Sequence, residues 1–188
     1  MKRMRFLTGL LVVAGFCVLP ALGQEAAKKK LGPAPSPSAA VLEQWNDIGR
    51  KLIAMAEDFP EDKYGYKPQA DSRTFLANML HASASMYYFT DTAMGKKPQY
   101  ADDPKDLNIK SRADLVAFVK KAVEDGAAVI KAKGDKGLNE AVEAGSPHLD
   151  RLYDLAYGLI EHSGEHYGQL VVYYRANGLV PPESRPKK

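Results

Sequence analysis

The chain has 188 residues, of which 45% are hydrophobic, 26% charged and 9% aromatic, a composition typical of one globular domain. The formal net charge is +3, but Lys2, Arg3 and Arg5 all lie within residues 1–23, and the remainder holds 23 basic and 23 acidic residues. A neutral chain lacks the basic surface that nucleic acids and anionic membranes attract. The single cysteine is Cys17, so beyond residue 23 the sequence excludes disulfides, cysteine metal ligands and cysteine nucleophiles.

The N-terminal segment has the pattern of an export signal. Basic residues at 1–5 precede the apolar stretch Phe6–Leu19, and small residues follow at 21–23. The apolar stretch is shorter than the about 20 residues that a membrane span needs. We therefore predict a signal peptide over 1–23, cleaved after Gly23, and a periplasmic or secreted protein; a retained N-terminal anchor is the alternative. Residues 24–38 predict a Pro-rich disordered linker.

Two amphipathic helices are predicted next. Apolar residues recur every three or four positions from Ala39 to Phe59, where Pro60 ends the pattern. A loop punctuated by Gly and Pro follows, and a second helix is predicted from Ser72 to Met94. Gly95 is a candidate for its C-terminal cap.

Two further helices complete the predicted fold over residues 39–184. Ser111 with Asp114 forms a capping-box-like start for the third helix. Ser146-Pro147 predicts the start of the fourth, which ends at Asn177 before Gly178. No alternation typical of strands persists for five or more residues. The sequence predicts an all-α four-helix bundle with long connections, which either cross the bundle or close one end of it over a site.

The last predicted helix carries a histidine pair. His162 and His166 lie four residues apart, so they project from one helix face about 6 Å apart along the axis, an arrangement that can bind one metal ion. Both continue an apolar ridge and are expected to point into the bundle. The other members of that ridge are Leu152, Leu155, Leu159, Leu170 and Tyr173.

His81 supplies a possible third ligand from the middle of the second helix, beside the small residues Ala77, Ala84 and Ser85. Three histidines with an open position are typical of catalytic metal sites. The alternative is that the histidines are interior residues hydrogen-bonded to carboxylates or backbone carbonyls. His148 is predicted to be a surface residue too far from the pair to share its metal.

His162, Glu165 and His166 also fit the H-x-x-E-H string of inverted zinc peptidases. Those enzymes take a further ligand far downstream, and only 22 residues follow His166, which argues against that class. Glu165 is retained as a candidate catalytic base. Gly158, Gly164 and Gly168 indicate either close helix packing or space for a substrate, and Tyr88 is a candidate pocket residue.

The last helix and its exit, EHSGEHYGQLVVYYRANGLVPPES, resemble the DinB-like family of small metal-binding four-helix proteins. The segments FPEDKYGYKP and SRTFLANMLHASASMYYF resemble it as well. The resemblance implies a bundle with non-sequential neighbours, often dimeric, whose three histidines map onto His81, His162 and His166. Some members of the family are thiol-dependent transferases or isomerases.

The function hypotheses are accordingly three. The first is a metal-dependent enzyme, a hydrolase or thiol transferase acting on an unknown small molecule. The second is a non-catalytic metal-binding or stress-associated interaction bundle, and the third a bundle with purely structural histidines. Three imidazoles suit zinc or nickel first, with iron or copper as alternatives. Because the ligands must be neutral, metal binding is expected to weaken below about pH 6.5.

Overall fold

The computed structural model describes residues 32–109 and 111–186. The predicted signal peptide and residues 24–31 of the predicted linker lie outside these ranges. In the described part of the chain, no helix combines the length and the apolar character needed to cross a membrane.

Four helices form the described domain, which confirms the predicted all-α bundle. They are α1 (Pro37–Asp58), α2 (Phe75–Ala93), α3 (Arg112–Leu138) and α4 (Leu152–Ala176). Short 3-10 helices span Glu61–Lys63 and Pro182–Ser184. Two-residue strands β1 (Ala141–Val142) and β2 (Asp150–Arg151) pair antiparallel within the α3–α4 connection.

The helices pack with partners that are not adjacent in sequence. Both α1 and α2 pack against α3 and α4, whereas α3 and α4 touch only sparsely. Helices α3 and α4 therefore lie diagonally across the bundle although they follow each other in the chain. A connection to a diagonal partner must cross the end of the bundle, which explains why the α3–α4 connection is long.

Glycines allow α1 and α3 to approach closely. A Cβ at Gly126 would lie 2.0 Å from Cζ2 of Trp45, and one at Gly49 would lie 2.4 Å from Cγ1 of Val123. Trp45 is fully buried, and its indole N–H donates to the carbonyl oxygen of Val123 at 2.9 Å. This pair of helices forms one side of the core.

Several predicted helix ends are confirmed. Ser111 and Asp114 form a complete capping box at the start of α3. Gly95 and Gly178 follow α2 and α4 with φ of 68° and 70°, the left-handed conformation that favours glycine after a helix.

The predicted start of the fourth helix at Ser146-Pro147 is wrong. The Ser146 hydroxyl donates to a carboxylate oxygen of Asp150 at 2.6 Å, and the helix begins six residues later, at Leu152. The same Ser-Pro pair does begin a helix at Ser36-Pro37, where the Ser36 hydroxyl accepts the backbone N–H of Ala39. Helix α1 thus starts two residues inside the predicted linker.

Candidate metal centre

Three histidines from two neighbouring helices converge at one point. His81 comes from α2, and His162 and His166 come from successive turns of α4. The ring centroids lie 5.0 Å apart for His81 and His162, and 4.5 Å apart for each of the other two pairs. One nitrogen from each ring lies within 4.8 Å of the others, so the group could hold a metal ion.

The three imidazoles differ in burial. His81 and His166 are only 4% and 5% exposed, whereas His162 is of intermediate exposure. The periodicity of α4 predicts both histidines on one buried ridge, but His162 lies at the edge of that ridge, next to fully buried Ser163. His162 therefore connects a buried ligand group with the protein surface.

The outer nitrogens of the two buried rings are held by oxygen acceptors. His81 Nδ1 lies 2.5 Å from the backbone carbonyl oxygen of Asp102, and His166 Nδ1 lies 2.5 Å from Oδ1 of Asn78. A carbonyl oxygen only accepts hydrogen bonds, so each Nδ1 carries the proton and donates it. Each Nε2 is then left with a free lone pair, the form in which histidine binds a metal.

The inner nitrogens are spaced suitably for one metal ion. His81 Nε2 and His162 Nε2 lie 3.1 Å apart, and two nitrogens bound tetrahedrally to zinc at about 2.0–2.1 Å lie about 3.3–3.4 Å from each other. Among the described residues, no fourth histidine or carboxylate lies at this spacing from all three rings; Asp102 and Asp103 form a second possible group with His81, on its Nδ1 side. The donor set fits a divalent metal that keeps at least one coordination position open.

Burial keeps two of the rings neutral. It lowers the pKa of His166 to about 4, assisted by the neighbouring His162 and His81. Burial also lowers the pKa of His162, with a smaller contribution from His81. Protons therefore compete with a metal for these two rings only at more acidic pH than for free imidazole. The expected loss of metal binding below about pH 6.5 shifts to lower pH at these two ligands.

The α2–α3 connection is tied down beside His81. Arg73 Nε donates to a carboxylate oxygen of Asp103 at 2.8 Å, and its guanidinium lies 3.8 Å from the carboxylate of Asp102. The carboxylates of Asp102 and Asp103 lie 3.5 and 3.9 Å, respectively, from His81 Nδ1. Arg73 therefore fixes the segment whose backbone carbonyl orients the His81 ring.

A cleft of about 450 Å³ opens beside His162. Its walls come from α2, α4 and the α2–α3 connection, and of the three histidines His162 alone lines it. The other lining residues are Ala84, Ser85, Tyr88, Pro98, Tyr100, Ala101, Asp102, Gly158 and Leu159. Two of the three predicted small residues on α2, Ala84 and Ser85, and the predicted pocket residue Tyr88 therefore line this cleft, whereas Ala77 does not.

The other candidate residues are placed differently. Glu165 is exposed and is not among the residues that line this cleft, so its role as a base stays a prediction. Gln169, three residues after His166, does not line this cleft either, and its Oε1 accepts from the side-chain amide N–H of Asn78 at 3.2 Å. His148 lies in the β1–β2 connection with a side chain 72% exposed and belongs to no ligand group.

The structure distinguishes between the two explanations for the glycines of α4, close helix packing and space for a substrate. A Cβ built at Gly158, Gly164 or Gly168 meets no other atom within 4 Å, so close helix packing does not require glycine at these positions. Gly158 lines the cleft, which agrees with the alternative that glycine leaves space there.

The residues that orient the histidine rings were not predicted from the sequence. Asn78 is fully buried on α2, three residues before His81. A buried side-chain amide needs hydrogen-bond partners, so an asparagine within the apolar sequence of α2 was the signal that could have pointed to this role. The backbone carbonyl of Asp102 gives no sequence signal, because every residue carries one.

A helical bundle with three converging histidines defines a class of candidate metal-binding proteins, and comparison with known families is consistent with it. The family model described as the DinB superfamily matches residues 44–170. The chain therefore belongs to the DinB superfamily.

Solved structures share the fold. A DinB-like protein from Bacillus subtilis superposes with a TM-score of 0.62 at 21% identity, covering 79% of this chain and 99% of that one. A DinB-like protein from Bacillus cereus ATCC 10987 gives a TM-score of 0.64 at 16% identity, covering 77% and 95%. No curated protein matches the chain.

Proposed function

We propose that this protein binds one divalent metal ion through His81, His162 and His166, and that it is an exported metal-dependent enzyme, a hydrolase or a thiol transferase. The observation that carries the proposal is the orientation of the two buried rings. Both Nδ1 atoms donate outward to oxygen acceptors, so both Nε2 atoms face the centre as free lone pairs.

Purely structural histidines explain this arrangement less well. The short contact between His81 Nε2 and His162 Nε2 allows one hydrogen bond, in which His162 donates because His81 has its proton on Nδ1. That hydrogen bond involves only two of the three inner nitrogens, and the buried His162 Nδ1 has no hydrogen-bond partner with or without a metal. A metal bound at the Nε2 atoms satisfies all three inner nitrogens at once.

The open side of the centre favours catalysis over storage of the metal. A storage site is expected to surround its metal with protein ligands, whereas here three ligands adjoin a cleft at His162. A divalent metal held by His81, His162 and His166 would supply Lewis-acid chemistry and would lower the pKa of a water or thiol at its open position. The protein's residues would orient the ligands, exclude water from the buried side and present the substrate through the cleft.

Metal content of the mature chain, residues 24–188, tests the proposal. We expect about one equivalent of zinc or nickel by elemental analysis, and none in a His162→Ala/His166→Ala variant that remains helical by circular dichroism. Absence of metal from both proteins after incubation with zinc and nickel would refute it. If metal binds, hydrolysis and thiol-transfer assays of wild type and Glu165→Gln separate a catalyst from a metal-binding bundle.

A further inference from the structure

Two of the three hydroxyl groups on the residues that line the cleft beside His162 already donate within the protein, and the third belongs to Tyr100. Ser85 Oγ donates to the carbonyl oxygen of His81 at 2.8 Å, and the Tyr88 hydroxyl donates to the carbonyl oxygen of Ala144. Neither hydroxyl has a proton left to donate to a bound molecule. The surface that remains is largely hydrocarbon, from Ala84, Pro98, Tyr100 and Leu159 among others.

One wall is held in place by aromatic packing. Tyr100 lies in the α2–α3 connection and packs edge-on against Tyr87 of α2 and Phe118 of α3, with ring centroids 5.1 and 5.5 Å away. The backbone N–H of Gln99, the residue before Tyr100, also donates to the carboxylate of buried Asp91 at 2.9 Å. The cleft is therefore preformed by contacts that do not depend on a ligand.

No Lys or Arg is among the residues that line the cleft. Asp102 is the one residue with a charged side chain among those lining it, and that side chain is 79% exposed at the rim. Lys96 and Lys97 line a separate cleft, which shares Tyr88 and Pro98 with this one as a common wall. The side chains of Lys96 and Lys97 therefore face the neighbouring cleft and not this one.

We propose that this cleft binds the neutral, apolar body of the substrate, a group of about the size of one substituted aromatic ring, while the substrate's donor atom reaches the metal beside His162. An apolar cavity of about 150 Å³ suffices for benzene, and the cleft of about 450 Å³ leaves room for substituents. This inference rests on the proposed function, because the donor atom needs the metal, and it adds the substrate class.

Two metal-binding probes that differ only by a ring test it. Imidazole and 4-phenylimidazole carry the same donor nitrogen, and their affinities for the zinc-loaded mature protein are measured by isothermal titration calorimetry. Burial of the phenyl ring should make 4-phenylimidazole bind about tenfold to a hundredfold more tightly. Nuclear Overhauser effects from the phenyl ring to Leu159 and Ala84 should locate it in the cleft.

A matched pair of variants assigns the gain to the cleft. Gly158→Leu directs a side chain into it, whereas Gly168→Leu changes an exposed position of the same helix, and both positions have open space around a Cβ. We expect Gly158→Leu to abolish the phenyl gain while zinc content and imidazole affinity are kept, and Gly168→Leu to keep all three. Because leucine is a better helix former than glycine, both variants should remain folded.

The outcomes separate the two proposals. Failure to bind zinc refutes the proposed function and this inference together. Normal binding of zinc and imidazole without a phenyl gain refutes the inference alone, as does an equal phenyl gain in Gly158→Leu. A dimer that becomes monomeric only in Gly158→Leu, with no phenyl gain in wild type, would assign the cleft to a second copy of the chain instead.

Discussion

Removal of the Asn78 side-chain amide should weaken metal binding without touching a ligand. Asn78 is fully buried, and its Oδ1 accepts the proton of His166 Nδ1 at 2.5 Å, which fixes both the tautomer and the ring. In Asn78→Ala, His166 can rotate or place its proton on Nε2, the atom needed for the metal. Loss of such a hydrogen bond to a metal-binding histidine typically lowers metal affinity about 10- to 100-fold, or about 1.4–2.8 kcal/mol.

The assay is a competition for zinc against a chromophoric chelator, at pH 7.5 and with the unfolding midpoint of each variant measured in parallel. Asn78→Asp keeps an oxygen acceptor and should bind zinc at least as tightly as wild type. Gln169→Ala removes the outer partner of the Asn78 amide and should cost less than Asn78→Ala. If folded Asn78→Ala binds zinc as tightly as wild type, the hydrogen bond does not prepare His166 for a metal, and the reasoning fails.

Further predictions concern stability, the α2–α3 connection and pH. Gly168→Ala should stabilise the protein by up to about 1 kcal/mol in urea unfolding, because its Cβ meets open space; Gly126→Ala should destabilise it by about 1–3 kcal/mol, because its Cβ would overlap Trp45. The opposite signs would contradict the packing described. Arg73→Ala should weaken zinc binding less than about fivefold, because its ion pair with Asp103 is partly exposed; a loss as large as that of Asn78→Ala would assign it a larger role. Burial holds the pKa of His166 at about 4 in the folded protein, against about 6.5 when unfolded, so the unfolded chain takes up the proton first. The free energy of unfolding of the metal-free protein should therefore fall as pH falls from about 6.5 towards 4. The fall should be less steep in His166→Gln, and an identical pH dependence in both proteins would show that His166 is not its cause.

The sequence predicted the helices and the histidine group because both leave local signals. The spacing of His162 and His166 places them on one helix face whatever surrounds the helix, and the Ser111–Asp114 capping box is complete within four residues. The start of α4 failed for a physical reason. Ser-Pro permits a helix start but does not require one, and at Ser146 the hydroxyl donates to Asp150 in a two-stranded connection.

The parts of the site that could not be predicted depend on tertiary contacts. The backbone carbonyl of Asp102 reaches His81 only because the α2–α3 connection folds back over α2 and is held there by Arg73. The half-exposure of His162 likewise depends on the cleft between α2 and α4, which the periodicity of α4 alone does not show.

X-ray absorption spectroscopy of the zinc-loaded protein tests the central claim, three-histidine coordination, most directly. We predict three imidazole nitrogens at about 2.0–2.1 Å, with one imidazole fewer in His81→Ala. The same shell as in wild type is expected in His148→Ala, since that histidine is exposed and outside the ligand group. A wild-type spectrum without three imidazoles, or a spectrum that His81→Ala leaves unchanged, would contradict the account.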